Sequence, residues 1–172
     1  MKKTVLLFFF LGIFFSCKEI NSSNKEISDS NIEFTDYYNR KVKVKKEPQT
    51  IISLSPGITE ILFDLGVGEK IIGRTKFCNY PDAALQIEEI GGISDASLEK
   101  IITLRPEIVI TSSMVSKKLV ENIEKAGISI ICLPERSNVE GVYNTLQILG
   151  KIFNKETTAD SLINNMKKEK GD

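Results

Sequence analysis

The sequence predicts an α/β fold, a three-layer sandwich around a mainly parallel sheet, preceded by a small β-hairpin. From residue 50 onward, short apolar segments alternate with segments that repeat their apolar residues at helical spacing. Glycine or proline stands at most of the boundaries between these segments, which separates the elements. Strands that alternate with helices connect through right-handed crossovers, so the strands of the sheet are expected to run parallel.

Two segments precede the predicted domain. Residues 1–16 begin with Lys2 and Lys3, continue with an apolar run and end in Ser16, which is the pattern of a signal peptide too short to span a bilayer comfortably. The small residue followed by Cys17 resembles the end of a bacterial lipoprotein signal, in which the cysteine is lipidated after cleavage. A plain secretory signal with an incidental cysteine is the alternative. Residues 17–31 are polar and rich in serine, and they are expected to form a flexible tether.

The domain begins with the hairpin and the first strand–helix unit. Alternating apolar residues predict hairpin strands at 32–36 and 41–45, and Pro48 ends the hairpin. A strand at 50–54 leads into a helix at 56–65, with Ser55 as its cap and Pro56 in its first position. Four apolar residues at helical spacing are expected to form the buried face of this helix: Ile58, Ile61, Leu62 and Leu65. Glu60 falls on the opposite face, where an ordinary solvated carboxylate is sufficient explanation.

The remaining elements continue the alternation. Further strands are expected at 70–73, 107–110 and 128–133. Further helices are expected at 97–104, 116–126, 138–149 and 155–170, with Pro106, Gly127 and Gly150 ending the first three. A loop at 74–85, which contains Tyr80 and Pro81, and a short segment ending at Gly91 and Gly92 lie between the second strand of the sheet and the second helix.

Composition excludes several functional classes. The 172 residues carry 23 basic and 23 acidic side chains without a polybasic segment, so nucleic acid is not an expected partner. The chain contains no histidine, which removes the commonest general base and metal ligand and makes a Ser-His-Asp triad impossible. We therefore expect no enzymatic activity and no metal site. Cys78 and Cys132 lack zinc-ligand spacing and are interpreted as unpaired small apolar residues, with a disulfide as the alternative.

The architecture indicates where a ligand would bind. In open α/β sheets, ligands lie beyond the carboxyl ends of the strands, so the loops that follow the strands are the candidates. These loops carry hydroxyls, a few charges, and aromatic residues that could cover a flat ligand. The candidate binding residues are Ser55, Pro56, Arg74, Phe77, Tyr80, Ser112, Ser113, Met114 and Arg136. Ordinary loop composition is the alternative for each of them taken singly.

Several short motifs in order carry a family resemblance. The run Ile-Ile-Ser-Leu-Ser-Pro at 51–56, followed by Thr59–Glu60 and Leu65–Gly66, resembles the opening of the helical-backbone (class III) periplasmic solute-binding proteins. These are the receptors of ABC importers for vitamin B12, iron-siderophores and haem. Further matches are Gly73–Arg74, Tyr80–Pro81, Gly91–Gly92, the segment 98–101, the segment 104–110 and the hairpin at 34–44.

The resemblance implies two similar lobes joined by one long helix, with ligand held between them. Residues 32–153 correspond to the N-terminal lobe and residues 154–172 to the start of the inter-lobe helix, and the second lobe is absent from the sequence. A truncated product and a natural half-receptor both fit. The terminal helix is then expected to expose an apolar stripe of Leu162, Ile163 and Met166 that has lost its covering.

The resemblance also implies a function. The protein would be an exported substrate-binding component, anchored by lipid on Cys17 to the cell envelope, that captures an iron-siderophore, haem or a corrinoid. It would hold no cofactor of its own and would deliver its ligand to the membrane permease, with Glu60 pairing with a permease arginine. The alternative is a truncated, non-transporting fragment of such a receptor that makes protein contacts only.

Overall fold

The computed structural model describes residues 31–134 and 138–171. Its strands are β1 (Asn31–Thr35), β2 (Lys41–Lys45), β3 (Ile51–Ser53), β4 (Ile71–Arg74), β5 (Ile108–Ser112) and β6 (Ile130–Leu133). Its helices are α1 (Pro56–Asp64), α2 (Leu98–Leu104), α3 (Lys117–Lys125), α4 (Val139–Phe153) and α5 (Glu156–Lys170). Short 3₁₀ turns cover Gly68–Lys70 and Asp82–Gln86. In this part of the chain, no helix is both long and apolar enough to cross a membrane.

The main sheet is parallel, as predicted. Its strand order is β4-β3-β5-β6, and every neighbouring pair runs in the same direction. The separate hairpin pairs β1 with β2 in antiparallel register from Asn31 opposite Lys45 to Thr35 opposite Lys41. The α/β fold class and the N-terminal hairpin are therefore confirmed.

Helices cover both faces of the main sheet and make it the middle of three layers. Successive residues of β3 point to opposite faces, so Ile51 packs in the apolar cluster with α1, α4 and α5, whereas Ile52 packs in the cluster with α2 and α3. The predicted apolar face of α1 is buried, with Ile58 and Leu62 at most 1% exposed. The burial of both faces explains why the sheet strands read as continuous apolar runs.

A buried charged group joins the hairpin to the sheet. The Asp36 carboxylate, fully buried, accepts hydrogen bonds from the Arg40 guanidinium, whose Nη1 lies 2.6 Å from Glu124 Oε1 on α3. Burial opposes the positive charge, but the hydrogen bonds from Asp36 and Glu124 outweigh it and raise the pKa of Arg40. The backbone N–H of Tyr37 donates to the Cys132 carbonyl at 2.8 Å. The turn of the hairpin is thus held against β6.

The prediction that Gly150 ends the fourth helix is wrong. Helix α4 continues to Phe153, and Asn154 ends it in the left-handed conformation with φ of 55°. A Cβ atom on Gly150 would lie 2.9 Å from the Ala159 Cβ on α5. The glycine therefore permits a close approach of two helices and does not mark a terminus.

The expected exposed stripe on the terminal helix is also wrong. Ile163 is 5% exposed, and Leu162 and Met166 pack against the same apolar cluster as α1 and α4. Helix α5 follows α4 after a tight turn, and its apolar face packs against the rest of the domain. The stripe is consequently part of the core.

Both described cysteines are free and buried, which confirms the interpretation of unpaired thiols. The Cys78 Sγ lies 3.2 Å from Thr75 Oγ1 in the loop after β4. Burial raises the pKa of the Cys132 thiol to about 12, with the negative charge of Asp36 adding to the effect. At neutral pH the Cys132 thiol is therefore protonated and unreactive.

Candidate functional site

The parallel sheet gathers the carboxyl ends of its strands at one edge. The last residues of β3, β4, β5 and β6 are Ser53, Arg74, Ser112 and Leu133. The described loops that leave them are 54–55, 75–81 and 113–116, and Pro134 follows β6. We call the surface formed by these loops the carboxyl edge. It brings together the predicted binding residues that lie in the described part of the chain.

Large apolar side chains are exposed at this edge. Among the described residues, the exposed large hydrophobics are Tyr37 (49%), Phe77 (50%), Tyr80 (66%), Leu85 (51%), Ile102 (45%) and Met114 (62%). Phe77, Tyr80 and Met114 lie on loops of the carboxyl edge. Apolar side chains exposed on neighbouring loops are candidates for an interaction surface, since contiguous exposed apolar patches mark binding sites.

The turn between β3 and α1 is held by its own hydroxyl groups. The Thr59 Oγ1 lies 2.9 Å from Ser53 Oγ and 3.1 Å from the Ser55 carbonyl oxygen. Ser55 occupies the cap position of α1 and Pro56 the first helical position, as predicted, but the Ser55 side chain makes no capping hydrogen bond. Ser53 and Thr59 belong to the motif residues named from the sequence, but their pairing was not predicted, because it depends on how the turn folds back.

Ser112, at the end of β5, differs from these hydroxyls. It is 7% exposed, and its Oγ has no hydrogen-bond partner among the described residues. A buried polar atom without a partner is unusual and calls for a bound group or ordered water. Ser113 is partly exposed next to it. Ser112 therefore offers a hydrogen bond at the carboxyl edge that the fold leaves unused.

Arg74 lies beneath the edge. Its side chain donates to three backbone carbonyls, through Nε to Ala84 at 2.6 Å, through Nη1 to Thr75 at 3.0 Å and through Nη2 to Leu85 at 3.4 Å. These bonds fold the segment 75–87 over the guanidinium group. Arg74 thus supports the loop that carries Phe77 and Tyr80, and direct contact with a ligand stays a prediction.

The hairpin adds two tyrosines to the edge that the sequence did not single out as site residues. The Tyr38 hydroxyl donates to the Val115 carbonyl at 2.8 Å, in the loop after β5. The ring of Tyr37 meets that of Tyr38 edge to face, with their centroids 5.2 Å apart, and Tyr37 itself is half exposed. The hydrogen bond joins residues 77 positions apart, so no local sequence pattern predicts it.

The other predicted residues fall in different places. Glu60 is exposed on the outer face of α1, as expected. Arg136 and Cys17 lie outside the described residues, and their roles stay predictions. Within 31–134 and 138–171, no cluster of three or more acidic or cysteine side chains could hold a metal ion.

Comparisons of this chain with family models and with known proteins agree on one family. The family model described as Periplasmic binding protein matches residues 51–171. An uncharacterized ABC transporter substrate-binding lipoprotein of Bacillus subtilis (strain 168), YvrC, is 31% identical over 141 residues, which are 80% of this chain and 45% of the relative. A vitamin B12-binding protein of Vibrio vulnificus (strain CMCP6) is 37% identical over 84 residues, which are 48% of this chain and 30% of the relative.

The fold is shared with solved structures. The crystal structure of the petrobactin-binding protein YclQ from Bacillus subtilis superposes with a TM-score of 0.71 at 20% identity, covering 78% of this chain and 49% of that one. The chain spans less than half the length of each of these three proteins. The family model nevertheless extends over the whole main sheet and all five helices. The chain therefore belongs to the periplasmic binding protein family, whose members are exported proteins that bind solutes and catalyse no reaction.

Proposed function

We propose that this chain supplies one ligand-binding lobe of the substrate-binding component of an ABC importer. Its ligand would be an iron-siderophore, haem or a corrinoid, captured at the carboxyl edge and delivered to a membrane permease. The observation that carries the proposal is the group of large apolar side chains exposed at that edge: Tyr37, Phe77, Tyr80 and Met114.

These side chains suit a broad, partly flat ligand. Aromatic rings bury a large area at small entropic cost, and methionine adapts to irregular surfaces. Binding sites of this kind combine a mostly apolar lining with a few polar groups that fix the orientation of the ligand. Ser112, whose hydroxyl lacks a partner among the described residues, would supply one such group. The vitamin B12-binding relative supports a ligand of this size and shape.

Delivery requires a contact with the permease, for which we propose Glu60. Its carboxylate is exposed on α1, a helix whose first turn follows directly from the carboxyl edge. A charge in this place can meet an arginine of the permease without any change in the fold. The name of the relative YvrC, an ABC transporter substrate-binding lipoprotein, supports a partner of this class.

We also propose that Cys17 carries the lipid anchor, with residues 17–31 as the tether. Two or more acyl chains hold a protein stably on a membrane, whereas one chain holds it only marginally. Fatty-acid labelling of cells should mark the wild-type chain and leave the Cys17→Ser variant unlabelled. The processed form of that variant should also be missing from the membrane fraction. An unlabelled wild-type chain would contradict the anchor.

Binding can be tested by calorimetric titration of the full chain with haemin, a ferric siderophore and cyanocobalamin. We expect at least one of them to bind, and Phe77→Ala and Met114→Ala each to weaken that binding about fivefold or more, because truncating a side chain at the centre of a binding site costs more than about 1 kcal/mol when that side chain is one of its main anchors. Ile102→Ala is the matched control, since Ile102 is similarly exposed but lies in the last turn of α2. Failure of all three ligands to bind would contradict the proposal and favour the alternative of protein contacts only.

A further inference from the structure

We infer that Tyr38 is a positioning residue of the carboxyl edge, whose hydroxyl holds the loop 113–116 in the conformation that presents Met114 to a ligand. The inference rests on the proposed function and extends the site from the loops after the sheet strands to the N-terminal hairpin. It is carried by the contact between the hairpin turn and the loop after β5.

The loop after β5 is a tight turn with one large exposed side chain. The Val115 N–H donates to the Ser112 carbonyl at 3.3 Å and closes the turn. Val115 is 1% exposed and packs in the apolar cluster with α2 and α3, whereas Met114 is 62% exposed. Ser116, at the other end of the loop, caps α3 through its side chain. The backbone between these fixed points therefore decides where Met114 lies.

A side-chain hydrogen bond holds this turn from outside. The Tyr38 hydroxyl donates to the Val115 carbonyl at 2.8 Å, and the Tyr38 ring packs against the same apolar cluster as Val115. Burial is the largest cause that raises the pKa of Tyr38 above its ordinary value. The phenol therefore keeps its proton at neutral pH and remains a donor to the carbonyl.

The hairpin turn that carries Tyr38 is itself fixed to the sheet. The buried Asp36 carboxylate accepts hydrogen bonds from the Tyr38 N–H at 2.9 Å and from the Arg40 N–H at 3.0 Å. The same carboxylate lies 3.4 Å from the Cys132 nitrogen on β6, and the Tyr37 N–H donates to the Cys132 carbonyl. Tyr38 thus extends a support that begins on β6 to the loop of the neighbouring strand β5.

A loop that already has its binding conformation does not have to be ordered by the ligand. When only a fraction of the molecules has that conformation, the apparent affinity falls in proportion to the fraction. Tyr38→Phe keeps the aromatic ring but removes the donor, so the Val115 carbonyl loses a hydrogen bond. The net effect of one such bond corresponds to about a twofold to tenfold change in the population of the loop and in the affinity.

Hydrogen exchange of the full chain without ligand is the first test. Tyr38→Phe should speed exchange of the Val115 N–H about twofold to tenfold, because this amide closes the turn. The Lys155 N–H, which donates to the Gly150 carbonyl at 2.7 Å in the α4–α5 turn, should exchange as in wild type. Tyr143→Phe is the matched control, since the Tyr143 hydroxyl on α4 has no hydrogen-bond partner among the described residues. It should leave exchange of the Val115 N–H unchanged.

Calorimetric titration with haemin, ferrichrome and cyanocobalamin is the second test. Tyr38→Phe should weaken each probe that binds about twofold to tenfold, and Tyr143→Phe should not. The effect of Tyr38→Phe should shrink toward none when Met114→Ala is also present, because the truncated side chain no longer depends on the position of the loop. It should persist when Phe77→Ala is present instead. A residue that only stabilises the fold would not distinguish these two double variants.

Each outcome decides the inference. Unchanged exchange of the Val115 N–H in Tyr38→Phe would overturn it, whatever the probes show. Faster exchange with unchanged affinity, or with equal losses of affinity in the two double variants, would overturn it and leave the proposed function intact. If none of the probes binds, the proposed function fails and the positioning role fails with it.

Discussion

At the scale of single residues, the groups available to a ligand are those whose bonding the fold leaves incomplete. The hydroxyls of Ser53 and Thr59 are within hydrogen-bond distance of each other, whereas Ser112 Oγ has no partner among the described residues. The guanidinium of Arg74 donates to three backbone carbonyls, whereas the ammonium of Lys76 forms no salt bridge with another described residue. The type of residue alone does not distinguish a structural group from a binding group.

Glu60 provides a prediction about delivery. Glu60→Arg should abolish co-purification with the cognate permease and ligand uptake, because truncating or reversing one charge of a desolvated pair can cost several kcal/mol. The free energy of unfolding should change by no more than about 0.5 kcal/mol, since the side chain is exposed and its removal opens no cavity. Uptake, co-purification and denaturant unfolding measure the three quantities.

Asp64→Arg is the control for this prediction. Asp64 is also exposed and lies one turn later on α1, so it tests the effect of an added positive charge on the same helix. It should leave docking closer to wild type than Glu60→Arg does. A folded Glu60→Arg variant that docks and delivers like wild type would show that Glu60 is only a solvated carboxylate.

Cys132 provides a prediction about alkaline stability. Burial raises the pKa of its thiol from 9.0 to about 12, so between these values the folded chain holds a proton that the unfolded chain releases. The free energy of unfolding should therefore decline as pH rises from 9 toward 12, by at most about 1.4 kcal/mol per pH unit from this group. Cys132→Ala should be less stable at pH 7 but should lack this part of the decline. Parallel stability curves of wild type and variant over that range would contradict the assignment.

At the scale of elements, the periodicity of the sequence predicted every strand and helix of the described domain, but not how the last two helices meet. A glycine at the end of an apolar helical segment commonly marks a terminus, and Gly150 fits that pattern. Its role in the structure depends on Ala159, which lies on the next helix, so a local pattern could not reveal it. The same contact explains why the apolar face of α5, expected to be exposed, is buried against the domain.

Gly150→Val tests the contact between α4 and α5. The Cβ would lie 2.9 Å from Ala159 Cβ and 3.4 Å from Glu156 Cα, so the added atoms must force the helices apart. Overpacking of this kind typically destabilises a protein by about 1–3 kcal/mol. Lys151→Val, at the next and exposed position of α4, introduces the same side chain without the clash and should stay within about 0.7 kcal/mol, the cost in helix propensity. Equal destabilisation by both variants in thermal unfolding would contradict the close approach.

At the scale of the whole molecule, the alternation of strands and helices was sufficient to predict a parallel sheet and the edge at which a ligand would bind. Which side chains lie at that edge could be learned only from the tertiary structure. The Tyr38 hydroxyl donates to the Val115 carbonyl across 77 positions and so brings the hairpin to the edge, and the buried Arg74 donates to backbone carbonyls of the segment 75–87. The sequence therefore predicted where in the sheet a candidate site would lie, and long-range contacts determined which side chains are exposed there.

Hydrogen exchange with and without ligand tests most directly whether the carboxyl edge is the binding surface. The full chain is compared alone and with saturating haemin, ferric siderophore or cyanocobalamin, whichever binds in the titration. Ligand should slow exchange in the loops 54–57, 75–81 and 113–118 and in the hairpin turn at 36–40, because bound ligand excludes water from these backbone groups and reduces their local opening. Exchange in the α4–α5 turn at 153–156 should stay unchanged. Protection confined to the α4–α5 turn or to the exposed side of α2, with the loops of the carboxyl edge unaffected, would contradict the account.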